Sequence, residues 1–145
     1  MQPSCIEEAE YATTNEFVPR PTRGKVVKVY DGDTVWCAVD IDGKICRVNV
    51  RMLGYDCAEM RSKDPVEKSC AYAARDELRE LVLDRVVNLT VHEADKYGRL
   101  LCTMTLDQED DKDPVDVNAF MLSKWGVPYA GGHKEVVDWS TYPKK

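Results

Sequence analysis

Arginine, aspartate and glutamate recur at close spacing in the stretch Arg51-Met52-Leu53-Gly54-Tyr55-Asp56-Cys57-Ala58-Glu59-Met60-Arg61. Asp31-Gly32-Asp33-Thr34 lies upstream of it and Asp95-Lys96-Tyr97-Gly98-Arg99 downstream. Carboxylates such as Asp33 and Asp56 are hard oxygen ligands that suit Ca²⁺ or Mg²⁺. Guanidinium groups pair with phosphoryl oxygens in bidentate fashion, so Arg51 and Arg99 could grip one phosphate from two sides. Glu59, three positions past Asp56, lets a single loop present a ligand and a base together. Hydrolysis of a phosphodiester needs an anion neutralised, a water aimed at phosphorus and a transition state stabilised, and these residue types supply all three. Taken singly, each has a plainer reading. Asp31-Gly32 is an ordinary hairpin turn, Arg51 an exposed strand residue, and Asp56 and Glu59 solvated loop acids.

The elements that must position these residues are mostly strands. Lys25–Tyr30 is β-branched and meets a turn at Asp31-Gly32, and Thr34–Val39 follows, closing on the hairpin signal Asp42-Gly43. In a third strand, Ile45–Leu53, Cys46, Val48, Val50 and Met52 share one face while Arg47, Asn49 and Arg51 share the other. That alternation points Arg51 into a cleft beside the Asp56–Glu59 loop. Asp64-Pro65 opens a helix, with Glu67 at capping-box spacing. Val66, Cys70, Ala74, Leu78 and Leu81 or Val82 form its apolar stripe, and Glu67, Lys68, Arg75, Asp76, Arg79 and Glu80 a solvated face. Val86–Val91 and Leu100–Leu106 are two further strands flanking Asp95–Arg99. Asp107–Asp113 is an exposed acidic connector, and a short helix runs from Val115 or Val117 to Lys124. Residues 1–22 read as a flexible arm, 23–132 as one domain and 133–145 as a tail without a helix. The expected fold class is α+β, a small five-stranded OB-type β-barrel with two or three helices.

Composition narrows the function. A net charge of −6 excludes a protein that holds nucleic acid through charge over its whole surface. No run approaches the roughly 18 apolar residues a membrane helix needs, so no membrane partner is expected. The first ten residues are acidic and lack the basic and apolar regions of a secretion signal, so an intracellular, cytoplasmic location is expected. The six cysteines are scattered without a Cys-x-x-Cys pair and read as buried, reduced thiols. Nothing points to an obligate oligomer, and a monomer is expected.

Taken together and in order, these segments resemble the staphylococcal nuclease (thermonuclease) family. Its D-G-D-T motif stands as Asp31–Thr34, its R-x-x-x-x-D-x-x-E motif as Arg51, Asp56 and Glu59, its D-K-Y-G-R element as Asp95–Arg99, and its V-N helix start as Val117-Asn118. The resemblance runs from about Gly24 to Tyr129. It implies an OB-type barrel and Ca²⁺-dependent hydrolysis of DNA or RNA with little sequence specificity. By motif position, Asp33 and Asp56 bind the metal with the backbone carbonyl of Cys57, and Asp31 acts in its outer shell. Arg51 and Arg99 stabilise the transition state, Glu59 activates water, and Lys96, Tyr97 and Tyr129 bind substrate phosphate. The alternative is an OB-type binding module that has lost catalysis, which should show erosion at the metal or arginine positions. Three departures stand out. Cys57-Ala58 replaces the family's Thr-Pro, the acidic connector is long, and the usual C-terminal helix has no counterpart after Gly132. The Gly131-Gly132-His133-Lys134 stretch resembles that of compact, phage-like members.

Overall fold

The computed structural model describes residues 2–145. Five strands form the barrel: β1 (Arg23–Asp31), β2 (Thr34–Ile41), β3 (Lys44–Met52), β5 (Val86–Ala94) and β6 (Leu100–Leu106). Neighbours pair antiparallel in the order β3-β2-β1-β5-β6, and a parallel pairing of β3 with β6 closes the ring. That closing seam is short, joining Val50, Arg51 and Met52 to Leu100, Leu101 and Cys102. The fold is thus the expected small α+β barrel of OB type, with two helices. Full closure leaves no long unpaired edge among these strands.

Local chemistry explains the turns. Asp42 and Gly43 take positive φ values of 51° and 85°, the left-handed pair that a two-residue hairpin demands. The β1–β2 reversal falls at Gly32-Asp33 rather than at Asp31-Gly32, because Asp31 still pairs with Thr34. Gly32 is needed there for space: a Cβ would lie 2.8 Å from Cys57 Sγ. Two register shifts in β1, between Val26 and Lys28 and between Val29 and Asp31, mark bulges that bend the strand around the barrel.

Helix α1 (Pro65–Val82) starts as its sequence requires, with the Asp64 carboxylate accepting from Val66 N at 3.0 Å. Its buried stripe differs from the expected one. Val66 is 48% exposed, and the stripe begins at Cys70 and takes in Ala71, Ala74, Leu78 and Val82. The first turn serves the preceding loop instead of the barrel. Glu67 does not return to the Asp64 amide as a capping box would; it accepts from Glu59 N at 2.9 Å and from Ser62 Oγ at 2.9 Å. Helix α2 (Val117–Lys124) is capped by Asp116, which sits in the two-residue strand β7 (Val115–Asp116). Its buried Asn118 is a clamp: Oδ1 accepts from Met104 N, while Nδ2 donates to Leu53 O and Cys102 O. Those bonds lock the end of β3 to β6, beside Arg51.

Two segments that looked irregular in sequence also pair. β4 (Gly54–Asp56) and β8 (Val127–Tyr129) form a separate antiparallel ribbon, with Gly54 opposite Tyr129 and Asp56 opposite Val127. Each is too short for a period-two pattern to be read. Beyond β8 the tail holds a single 3-10 turn, Trp139–Thr141, and no α-helix. The Trp139 and Tyr142 rings pair at 4.9 Å and pack against the core, and Lys144 N donates to Lys124 O. In the arm before β1, Pro21 is buried, Val18 packs against the core, and Arg20 Nη1 donates to Val91 O at 2.7 Å. The acidic connector is exposed throughout. Cys37, Cys57, Cys70 and Cys102 are buried thiols, Cys46 is half-buried and Cys5 exposed. Among the described residues no helix is long and apolar enough to cross a membrane.

Candidate active site

One cleft of about 750 Å³ is lined by Asp31, Asp33, Arg51, Asp56, Cys57, Glu59, Lys96, Tyr97, Arg99 and Tyr129. These are all the residues that the sequence singled out, drawn from five separate segments. The barrel seam supplies its floor. Arg51, the next-to-last residue of β3, is only 8% exposed, deeper than a strand end facing a cleft would suggest. Its Nη1 donates to Met52 O at 2.8 Å and Tyr55 O at 2.9 Å and lies 3.3 Å from Asp33 Oδ2. Its Nη2 lies 3.3 Å from Asp56 Oδ1. The guanidinium thus joins the β1–β2 turn to β4 while keeping Nε–H and one Nη2–H clear of any protein partner among the described residues.

Asp33 and Asp56 are each 7% exposed. Burial pushes the Asp33 carboxyl up to about 6, and the charge of Asp31 adds to that push against the opposing Arg51. Arg51 cannot cancel it because one positive charge is divided between two carboxylates. Burial raises Asp56 as well, with Lys134 opposing and Asp33 adding. Thr34 Oγ1 donates to Asp33 Oδ1, and the amide of Cys57 approaches Asp33 Oδ2 at 3.4 Å, so the carboxylate is oriented from both sides. Tyr55 is buried beneath, its hydroxyl donating to Gly32 O at 2.7 Å and fixing the β1–β2 turn against β4.

The opposite wall is built from loops. Asp95 organises the turn before Arg99: its Oδ1 accepts from Tyr97 N and Arg99 N, both at 2.9 Å, and its Oδ2 from Arg99 Nε at 2.7 Å. Gly98, at φ 81°, makes the reversal that a side chain would resist. The Arg99 guanidinium lies 5.6 Å from the Tyr97 ring and Lys96 Nζ 5.2 Å from it. With Nε held by Asp95, both terminal nitrogens of Arg99 remain for a ligand.

Glu59 is fixed at its backbone by Glu67 while its side chain is 57% exposed. Its Oε1 takes Lys134 Nζ at 3.0 Å, and the same ammonium lies 3.2 Å from Asp56 Oδ2. Lys134 is the residue that sequence reasoning missed, since a lysine 75 positions from Glu59 carries no local pattern. Tyr129 reaches the cleft through the β4–β8 ribbon, with Arg51 6.0 Å and Lys134 5.8 Å from its ring. The Thr-Pro departure has a structural answer: Cys57 and Ala58 are each 3% exposed, and Glu67 tethers the loop that follows them.

Asp33 and Asp56 are the side chains here that could hold a hard cation. Among the described residues no three His, Cys, Asp or Glu groups converge tightly enough to hold an ion unaided. The charge balance nonetheless suits a divalent ion. The lining carries six carboxylates, Asp31, Asp33, Asp56, Glu59, Glu93 and Asp95, against four cations, Arg51, Lys96, Arg99 and Lys134, a formal excess of two negative charges. Hard cations complete their shells with carbonyls and water, so two buried carboxylates could form part of such a site.

Among known families, the one described as staphylococcal nuclease homologue matches residues 49–128, more than half of the chain. Protein ParB of Escherichia coli is 31% identical over 115 residues, covering 75% of this chain. The chain spans 59% of the length of that relative.

Proposed function

Because the chain belongs to the staphylococcal nuclease family, we propose that it is a Ca²⁺-dependent hydrolase of phosphodiester bonds in DNA or RNA. The observation that carries this reading is the convergence in one cleft of two buried carboxylates, two arginines with unused donors and an accessible glutamate. A degenerate binding module would be expected to have lost one of these groups.

Asp33 and Asp56 would hold the cation, with the Cys57 carbonyl as a further ligand and Asp31 in the outer shell. The bound ion would neutralise a phosphoryl oxygen and act as Lewis acid. Arg51 offers its free Nε–H and Nη2–H from the floor and Arg99 its terminal nitrogens from the opposite wall, so charge developing on the phosphorane is met from two directions. Glu59 accepts the proton of the attacking water, its exposed carboxylate being open to solvent. Lys96, Tyr97 and Tyr129 bind a neighbouring phosphate, and no base-reading group is required, which fits low sequence specificity. The protein works as a monomer in this reading.

The deciding experiment is cleavage of single-stranded DNA in Ca²⁺, in Mg²⁺ and with chelator, beside a Glu59→Ala variant. Calcium-dependent cleavage that the substitution removes is the expected result. Binding of DNA without cleavage in any metal would replace the nuclease with a binding module.

A further inference from the structure

Lys134 stands outside every motif of the site and yet touches two of its carboxylates. It follows β8 in a segment folded back over the cleft. Gly131 and Gly132 take φ values of 102° and 84°, and the Tyr129 hydroxyl donates to Gly132 O at 2.8 Å, which holds the reversal. The turn sets Lys134 over the Tyr129 ring and between Glu59 Oε1 and Asp56 Oδ2. An exposed Lys–Glu pair alone would carry little energy or meaning. The Lys134 side chain is itself 48% exposed, but its second partner, Asp56, is only 9% exposed at the side chain.

Two consequences follow from the contacts. The Glu59 carboxylate has Lys134 as its partner, so Lys134 decides where that carboxylate points. Asp56 has both oxygens engaged, Oδ1 by Arg51 and Oδ2 by Lys134, so a metal ion approaching Asp56 must share an oxygen with a fixed positive charge. Resting on the phosphodiesterase reading of the cleft, we propose that Lys134 is a positioning residue: it ties Glu59 to the metal-binding aspartate and, by the same bond, weakens the affinity of that aspartate for calcium. The tail therefore completes the site and sets the calcium concentration at which it fills.

The test compares the full chain with Lys134→Met and Lys134→Arg, using calcium alone in titration calorimetry and single-stranded DNA in steady-state kinetics. Removing the unit positive charge beside Asp56 should tighten calcium binding about tenfold in Lys134→Met. The same variant should lower kcat about tenfold with KM within twofold, as expected when an orienting contact, and not substrate binding, is lost. Lys134→Arg keeps the charge and should restore both values to within about threefold of the parent. Calcium binding in Lys134→Met no tighter than in the parent, or absent from both, overturns the proposal whatever the activity. A parent that cleaves nothing while Lys134→Met still binds calcium more tightly would sink the nuclease reading and with it the positioning of Glu59 for catalysis, and would leave standing only the effect of Lys134 on calcium affinity.

Discussion

The two walls of the cleft are made by different means. On one, Asp33, Arg51 and Asp56 are buried at 7%, 8% and 7% exposure: Arg51 sits where β3 meets β6, Asp56 where β4 meets β8, and Asp33 in the β1–β2 turn that packs against them. On the other, Arg99 and Glu59 are set by tethers to single carboxylates and amides, and Tyr97 is 72% exposed. The first wall is formed by the same hydrogen bonds that close the barrel, so its geometry comes with folding. The second needs its own small fixtures, Asp95 for Arg99 and Glu67 for the Glu59 loop, because loops over a barrel rim have few backbone bonds to share. Function and stability should therefore be coupled on the floor and separable on the loops.

Arg51→Ala should break the comparison most severely. It leaves two buried carboxylates without their partner, a loss of about 3–5 kcal/mol for breaking a buried pair, and it removes activity as well. Urea unfolding and cleavage assays on the same sample would check both. A variant with parental stability would mean that the floor is no more integrated than the loops. Arg99→Ala should lower turnover about 10²–10³-fold, as for the loss of a transition-state donor. Its stability should change by no more than about 1 kcal/mol, since its partner is a partly exposed surface carboxylate. Thermal melts beside kinetics would show whether the two effects separate.

Glu67→Ala sharpens the contrast further. It frees the amide of Glu59 and the hydroxyl of Ser62 without touching the aspartates. Turnover should fall about tenfold through misplacement of the loop, and calcium titration should overlay that of the parent. The smallest effect belongs to Asp95. Burial works against its ionised form, but hydrogen bonds from Arg99 and Tyr97 outweigh it and hold its pKa below the ordinary 3.8. A depressed folded-state value means stability that is present above the ordinary value and lost as pH falls through the folded one. Asp95→Asn should thus be less stable than the parent at pH 7 and show a shallower loss on acidification below 3.8. Parallel urea curves at neutral and acid pH would read this directly.

Much of the scaffold was legible because strands and helices write their periods locally. The Asp42-Gly43 hairpin, the Asp64 cap and the β3 alternation each rest on neighbours a few residues apart. The α1 stripe went wrong at Val66 because periodicity tells which residues share a face and not where the partner surface begins. Glu67 looked like a capping glutamate and is a loop tether. Spacing alone cannot say which of several nearby amides a flexible carboxylate will choose.

By itself, the sequence determined the chemistry on offer. Asp33, Arg51, Asp56, Glu59 and Arg99 stand in short motifs whose residue types and order leave few readings, and the strand that carries Arg51 follows from period-two patterning. Only the tertiary structure decided the depth and closure of the site: Arg51 held under both aspartates, Tyr129 brought in by the β4–β8 ribbon, and Lys134 set between Asp56 and Glu59. Those contacts join segments dozens of residues apart, and burial and the charge of distant neighbours exist only once the barrel has closed around them.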